Sequence, residues 1–349
     1  MGSAGRYAMY HFKKTLVRFA VMMIYALVTI NYGIHNDYYV SGEVTHSFSL
    51  GLYGVNFILL TIIAVILEFA PFKNRRNLDS WFSFPISRTA LAAVHAINGA
   101  VQVWAVHTIS FIWGIVKVMP YASECDLNFS AMWKMYFLVL FTGLVLYGFL
   151  MFPFILGNNI PDGILLGIGY VWIPILWITF FISGFAIKDT SEYVLGLPLI
   201  CGSLASRCSD EFYYRPNPYN ISFLRPKPLA TNDYVTIAVW IGIGIALTVL
   251  AFVLFNRKKT EEIGGHSDSI FAYKTCIPLF MLPMILLVGG KIGIGILYGI
   301  ATFLLYVIYR RSAKLKIPDI IVIAVILVLG NIPVSIVGEL SSHFGGYSF

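Results

Sequence analysis

The feature that most constrains this chain is a series of apolar runs, most of them about 17 to 25 residues long and with few charges. A helix of that length crosses the roughly 30 Å hydrocarbon layer of a bilayer. Hydrophobic residues make up 58% of the 349 positions and charged residues only 12%, about half the charged fraction of a typical soluble domain. We therefore predict an all-α, polytopic membrane helical bundle of about eight or nine transmembrane helices.

The apolar runs predict nine spans, at residues 16–30, 52–69, 91–118, 132–154, 163–187, 234–255, 271–288, 292–309 and 318–337. Gly289, Gly290 and Lys291 separate the seventh span from the eighth. An alternative is that these two spans form one broken or re-entrant element.

Lysine and arginine are unevenly distributed between the connections, and cytoplasmic loops carry the excess of positive charge. With the N-terminus inside, 15 of the 24 basic residues fall on the cytoplasmic side. These are Arg6, Lys13, Lys14 and Arg18 before the first span, and Lys73, Arg75, Arg76, Arg88, Arg257, Lys258, Lys259, Arg310, Arg311, Lys314 and Lys316 in later connections. We therefore predict a cytoplasmic N-terminus and an extracellular segment at 188–233.

The extracellular segment contains Cys201 and Cys208. In an oxidising compartment these cysteines would close a small disulfide loop, but two unpaired thiols fit the sequence equally well. Residues 195–204 are apolar enough to re-enter the membrane, which requires that other parts of the protein shield their backbone.

The cytoplasmic loop at 71–90 follows a basic cluster with an amphipathic stretch. Its apolar residues recur at i, i+3, i+4 and i+7, the spacing of one face of a short helix. They are Leu78, Trp81, Phe82 and Pro85. Such a helix can seat aromatic side chains in a groove on a cytoplasmic partner. Periodicity alone favours the alternative, in which Trp81 and Phe82 lie in the lipid headgroup zone.

Two short motifs resemble one family. Residues 83–88 read S-F-P-I-S-R, which resembles the S-L-P-I-S-R stretch between the second and third helices of type-2 (exporter-type) ABC transporter permeases, YtrC/YtrD-like, of Gram-positive bacteria; Phe84 replaces the usual leucine. Residues 258–264 read K-K-T-E-E-I-G and are similar to the R-K-x-E-x-x-G run of that family, with Lys258 in place of arginine. The order of the motifs and the long segment between the fifth and sixth helices also agree.

The resemblance implies a division into a six-helix permease core, 1–255, and a cytoplasmic linker with further membrane helices, 256–349. It implies that the loop is a coupling helix docking on a separate ABC ATPase subunit, through Leu78, Trp81, Phe82, Phe84, Pro85 and Arg88. It also implies a second cytoplasmic motif of Lys258, Lys259, Glu261 and Gly264.

The same resemblance implies an exporter in the plasma membrane that moves a hydrophobic or amphipathic peptide, lipid or drug-like cargo. A second permease subunit, identical or different, would complete the assembly, with ATP and Mg on the partner ATPase. This chain would then have no catalytic, cofactor or metal site and would not be an enzyme. It contains no G-x-x-x-x-G-K-[ST] loop for nucleotide phosphates, and its cysteines and histidines lack zinc-site spacing. Its basic residues bracket apolar runs, so nucleic-acid binding is not expected.

Among the ionisable residues within the apolar runs, Glu68, His95 and His107 are the candidates for a functional role. We predict that Glu68 reaches water or the basic cluster beginning at Lys73, in a structural ion pair rather than a transport role. His95 and His107 are twelve positions apart, about 120° around a helix, which excludes a shared metal ion. Each is predicted to be a hydrogen-bonded interior histidine rather than a proton relay.

Two other functions are weighed against the permease. An ion-coupled secondary transporter or channel requires polar groups near mid-membrane and usually an internal repeat, and the sequence shows no convincing repeat. An intramembrane enzyme requires a set such as H-E-x-x-H or G-x-S-x-G, and neither motif is present.

Overall fold

The structure is a computed structural model that describes residues 3–33, 35–40, 43–48, 51–74, 85–121, 126–127, 129–185, 200, 213–214, 231–265, 267–288, 292–310 and 312–330. Over these ranges the chain forms nine α-helices: α1 (Ser3–Gly33), α2 (Gly51–Phe69), α3 (Arg88–Val118), α4 (Phe129–Leu156), α5 (Ile160–Phe185), α6 (Thr231–Arg257), α7 (Thr275–Val288), α8 (Ile292–Arg310) and α9 (Ile317–Gly330). Eight of them are long and apolar enough to cross a membrane, and α9 has 14 residues. Each predicted span corresponds to one helix, as expected of a multi-pass membrane protein.

The first helix differs most from its prediction. It begins at Ser3, so Arg6, Lys13, Lys14 and Arg18 lie inside α1 instead of preceding it. Hydropathy marks only the apolar part of a helix, whereas helical hydrogen bonding continues wherever a polar face can reach water or another polar group. The prediction that these four residues form a charged segment before the first helix is therefore wrong.

The start of the seventh span is also different. A π-helical turn (Ile270–Lys274) precedes α7, and Ala272 within it departs from helical geometry, with φ −82° and ψ −137°. Pro278 lies inside α7 and has no N–H to donate to the carbonyl of Lys274 four positions earlier. The proline therefore explains why α7 does not extend back unbroken to the predicted residue 271.

Two connections contain short antiparallel strand pairs. Between α1 and α2, β1 (His35–Val40) pairs with β2 (Glu43–Phe48). The connection after α3 contributes β3 (Asp126–Leu127), which pairs with β4 (Tyr213–Tyr214) from the connection after α5. The all-α prediction therefore holds for the membrane helices, while these strands join connections outside them, because an open strand edge is not tolerated in hydrocarbon.

The described chain divides into two compact units. Unit 1 contains α1, α2, α3, α6 and α4 as far as Phe152, whereas unit 2 contains the end of α4 from Pro153, α5 and α7 to α9. In unit 1, α3 packs against α1, α2 and α6, and in unit 2, α7 packs against α5, α8 and α9. Many large apolar side chains on the other helix faces are exposed, as expected of surfaces that meet lipid.

Glycine allows α4 and α6 to approach closely in unit 1. A Cβ built on Gly148 would overlap Thr248 Oγ1, and one built on Gly244 would overlap Val145 Cγ1 and come within 3.2 Å of the Val145 carbonyl oxygen. Small residues at such positions let membrane helices gain van der Waals contact along their backbones.

We predict that Gly244→Ala lowers the free energy of unfolding by about 1–3 kcal/mol, because the added methyl group must displace Val145 in a filled contact. Thermal unfolding of the detergent-solubilised chain measures this. Gly242→Ala is the matched control, since Gly242 lies on the same helix with nothing within 4 Å of a built Cβ. Equal destabilisation by both substitutions would contradict the proposed packing.

Candidate functional site

The predicted coupling residues are only partly described. The structure does not describe Leu78, Trp81, Phe82, Phe84, Cys201 or Cys208, so their docking role and the disulfide stay predictions. Residues 195–204 are also outside the described ranges, apart from Ile200. Pro85 and Arg88 are described and exposed, at the entry to α3.

The serine of the first motif has a clear local role. Ser87 is the N-cap of α3, with φ −63° and ψ 149°, and its Oγ accepts a hydrogen bond from the Ala90 backbone N–H at 3.2 Å. This bond satisfies one of the backbone donors that every helix start leaves without a partner. The end of the predicted coupling loop is therefore fixed where α3 begins.

The start of α3 lies beside the end of α6 in unit 1. Thr89 Oγ1 donates to Asn256 Oδ1 at 3.2 Å, across 167 positions of sequence. The rings of Phe72 and Phe255 meet edge to face with centroids 5.2 Å apart, so the segment after α2 reaches the same place. Both ends of the predicted coupling loop therefore adjoin the residues that lead into the second motif.

In unit 2, two lysines converge on the end of α4. Lys258 Nζ donates to the carbonyl oxygens of Ile155 at 2.6 Å and Gly157 at 2.5 Å. Lys73 Nζ donates to the same Gly157 oxygen at 2.5 Å and lies 4.7 Å from the centre of the Phe154 ring. The last carbonyls of a helix lack helical donors and carry the negative end of its dipole, so ammonium groups stabilise them.

The second motif reaches the α4–α5 turn at both of its ends. Gly264 has φ 87°, a left-handed conformation that glycine adopts without steric cost, and its N–H donates to the Asn158 carbonyl at 2.8 Å. Lys259 and Glu261, between the two ends, are exposed. Of the four predicted motif residues, Lys258 and Gly264 therefore fix the segment, whereas the other two present charge at the surface.

A buried carboxylate connects the first three helices of unit 1. The Glu68 side chain is 0% exposed. Its Oε1 forms an ion pair with Arg18 and accepts from Asn98 Nδ2 at 2.6 Å. Its Oε2 accepts from His11 Nε2 and His95 Nδ1, each at 2.9 Å. Four donors from α1 and α3 therefore surround one carboxylate from α2.

The prediction of an ion pair at Glu68 is confirmed, and its structural role stays a prediction. The carboxylate does not reach water and is not bonded to Lys73, while Arg75 and Arg76 of the predicted basic cluster lie outside the described residues. The partner of Glu68 is Arg18, and Lys73 is bonded to Gly157. The charge pattern near residue 73 suggested the nearest basic cluster in sequence, whereas helix packing brings an arginine from 50 positions away.

The sequence did carry a signal for this network. Polar residues follow helical spacing on one face of α1, at His11, Thr15 and Arg18, and on one face of α3, at His95, Asn98 and Gln102. The two faces also bond directly, since Gln102 Nε2 donates to Thr15 Oγ1 at 2.9 Å. A polar stripe on an apolar helix predicts contact with another polar group, although only packing shows which one.

His95 and His107 are both interior and hydrogen-bonded, as predicted. His95 Nε2 lies 2.9 Å from Tyr7 Oη. His107 Nε2 is 3.3 Å from the Tyr136 carbonyl oxygen and its Nδ1 is 2.7 Å from Tyr53 Oη, so the ring donates to the carbonyl and accepts from the hydroxyl. The two histidines belong to separate networks, which agrees with their spacing on α3.

We predict that Gly264→Ala destabilises the chain by about 1–2 kcal/mol, because a Cβ is disfavoured in the left-handed region. Gly265→Ala is the matched control, since its Cβ would lie 3.4 Å from the Glu262 carbonyl oxygen, an ordinary contact. Chemical unfolding of the purified chain compares the two, and equal stabilities would argue against the geometry of this turn.

We predict that the free energy of unfolding depends on pH because of the Lys258 side chain. Its burial against the end of α4 lowers the pKa of the ammonium from 10.5 to about 8, while the Asp162 and Glu262 carboxylates limit the decrease. Between these values the unfolded chain binds the proton and the folded chain does not, so the free energy of unfolding rises with pH. Below about pH 8 both states are protonated and this contribution is constant.

The measurement is the difference in unfolding free energy between the wild type and Lys258→Met. We expect the free energy of unfolding of the wild type to rise relative to that of the variant as the pH rises from about 7 to about 10. Parallel pH curves for the two proteins would show that Lys258 is protonated equally in both states.

The comparisons with known proteins identify no relative: no protein-family model, no curated protein and no solved structure matches the chain. What the chain does must therefore be inferred from its own residues and contacts.

Proposed function

We propose that the chain is the membrane-spanning permease subunit of an ATP-driven ABC exporter in the plasma membrane, powered by a separate ATPase subunit. The proposal starts from the resemblance of residues 83–88 and 258–264 to the type-2 exporter family. In that family the loop between the second and third helices docks on the ATPase, so no ATP chemistry is required of this chain.

The observation that carries the proposal is that the segments containing the two motifs adjoin the same helix ends. In unit 1, Thr89 is bonded to Asn256, and in unit 2, Lys73 and Lys258 share the Gly157 carbonyl. Within each unit, segments far apart in sequence are therefore in contact, which supports the proposal that one partner binds both motifs. Arg88 in unit 1 and Lys259 and Glu261 in unit 2 are each exposed, as docking residues must be.

The contacts between connections support the predicted alternation of the helices across the membrane. The connections that follow α2, α4 and α6 meet through Lys73, Gly157 and Lys258. The connections that follow α3 and α5 pair through β3 and β4. Such a segregation is expected when successive helices run in opposite directions. The excess of lysine and arginine in the first set favours the cytoplasm for that side.

The mechanism is mechanical. ATP binding draws two ATPase subunits together, and the predicted coupling helix, with Trp81 and Phe82 seated in a groove on one of them, moves with that subunit. Lys73 and Ser87 fix the two ends of this loop to α4 and α3, so the displacement reaches the membrane helices directly. With a second permease subunit, the movement would open a path for a hydrophobic or amphipathic cargo.

The second candidate is an ion-coupled transporter. The buried Glu68 with His11 and His95 is the observation that favours it, because ionisable groups inside membrane helices often mark ion paths. Arg18 offsets the carboxylate charge in an ion pair, which favours a structural role. Cargo movement driven by an ion gradient in vesicles containing this chain alone would support the second candidate instead.

The test is co-purification of this chain with a candidate ABC ATPase co-expressed with it. We predict that Trp81→Ala combined with Phe82→Ala reduces recovery of the ATPase by tenfold or more, because aromatic anchors dominate such interfaces. A tenfold loss of affinity corresponds to about 1.4 kcal/mol of binding free energy. Membrane insertion, measured as the yield of monodisperse permease, should not change.

The matched control is Phe141→Ala combined with Trp172→Ala, two exposed aromatic residues within membrane spans. This pair should leave the ATPase bound. Unchanged ATPase recovery with the loop variant, or equal loss with the control, would count against docking through the loop.

A further inference from the structure

We propose that His11, Glu68 and His95 form a binding site for a divalent transition-metal cation of the zinc type, at which α1, α2 and α3 are joined. Their ligand atoms all lie within 4.8 Å of one another, and each imidazole nitrogen is 2.9 Å from the carboxylate oxygen. Two imidazoles and one carboxylate are a donor set that zinc uses, with a fourth position left for water. This inference does not depend on the proposed exporter function.

The two oxygens of the carboxylate are used differently. Oε2 faces the imidazoles of His11 and His95, whereas Oε1 is held by Arg18 and Asn98. A carboxylate that ligates a metal through one oxygen commonly has its other oxygen fixed by hydrogen bonds from neighbouring residues. Arg18 and Asn98 therefore orient Glu68 without occupying the side that faces the cation.

His95 has a partner on its second nitrogen as well. Nε2 lies 2.9 Å from Tyr7 Oη. With a cation on Nδ1, the ring proton resides on Nε2 and is donated to the Tyr7 oxygen; without the cation, Nδ1 donates to Glu68 and the tyrosine hydroxyl donates to Nε2. Binding thus needs a change of tautomer at His95 and also at His11, whose Nε2 donates to Glu68 when no cation is bound, and no loss of a proton. Such a hydrogen bond fixes the orientation of a ligating imidazole.

Two buried polar atoms beside Glu68 indicate a further occupant. Tyr147 Oη and Asn98 Oδ1 have no hydrogen-bond partner in the part of the chain that the structure describes, although the residues are only 4% and 7% exposed. A Cβ built on Gly99 would overlap the Tyr147 hydroxyl and lie 2.9 Å from Glu68 Cγ, so the hydroxyl lies beside the Glu68 side chain. A metal-bound water would donate to such acceptors, which are otherwise costly to bury.

Charge sets the expected affinity. Glu68 and Arg18 already offset each other, so a dication adds positive charge next to a guanidinium group. We therefore expect weaker binding than at a zinc site without a neighbouring cation, and we expect Arg18→Gln to strengthen it by about tenfold or more, because the repulsion is removed while a donor to Oε1 remains. A purely hydrogen-bonded network predicts no such gain.

The experiment uses the full chain purified in detergent, treated with a chelator and titrated with Co²⁺ and then with Zn²⁺. We expect one saturable site per chain and a visible Co²⁺ spectrum that Zn²⁺ abolishes. His95→Asn and Glu68→Gln should each weaken zinc binding at least about 100-fold, since even outer partners of metal ligands contribute about 10- to 100-fold. His107→Asn is the matched control, a buried histidine of the same helix that should leave binding unchanged.

X-ray absorption of the zinc-loaded wild type keeps the inference testable if the variants do not fold. We expect nitrogen and oxygen neighbours at about 2.0–2.2 Å, with two imidazoles and no sulfur. Lack of saturable binding, binding that survives both His95→Asn and Glu68→Gln, or a sulfur neighbour would each overturn the site. Because the test uses the chain without an ATPase, its failure would leave the exporter proposal unaffected.

Discussion

The packing of the first three helices depends on one carboxylate that water does not reach. An unpaired charge at the Glu68 position would cost several kcal/mol, and removing one member of a buried ion pair typically costs about 3–5 kcal/mol. The polar face of α1 must therefore lie against α2 and α3, where Arg18, His11, His95 and Asn98 surround the carboxylate. In a lipid environment, a few polar residues thus determine which helices pack together.

The same constraint acts on the backbone at the end of α4. Carbonyl groups without helical donors must find partners where water is scarce, and Lys73 and Lys258 supply them at Gly157 and Ile155. Both lysines belong to charged connections, which the sequence alone would place entirely in solvent. Their long aliphatic stems allow the ammonium groups to reach inward from the membrane surface. The two motif-bearing segments are consequently attached to the membrane helices that they are proposed to move.

Two members of the Glu68 network flank, along the sequence, the segment proposed to dock on the ATPase. Glu68 lies on α2 just before Lys73, and His95 lies about two turns into α3 after the Ser87 cap. A displacement of that segment would reach α2 and α3 together and, through Glu68, α1. A metal ion at His11, Glu68 and His95 would strengthen this connection, since coordination bonds hold ligands more rigidly than hydrogen bonds among the same side chains.

The sequence by itself determined the class of the protein and the number of its long helices, because apolar length and charge spacing follow directly from the thickness of a bilayer. It also carried polar stripes on α1 and α3. Only the tertiary structure decided that Arg18, and not Lys73, pairs with Glu68, that Gly264 forms a turn, and that Lys73 and Lys258 share one carbonyl. The physical reason is that periodicity fixes the face on which a residue lies, whereas its partner depends on which helices pack side by side, and that depends on contacts between residues far apart in the chain.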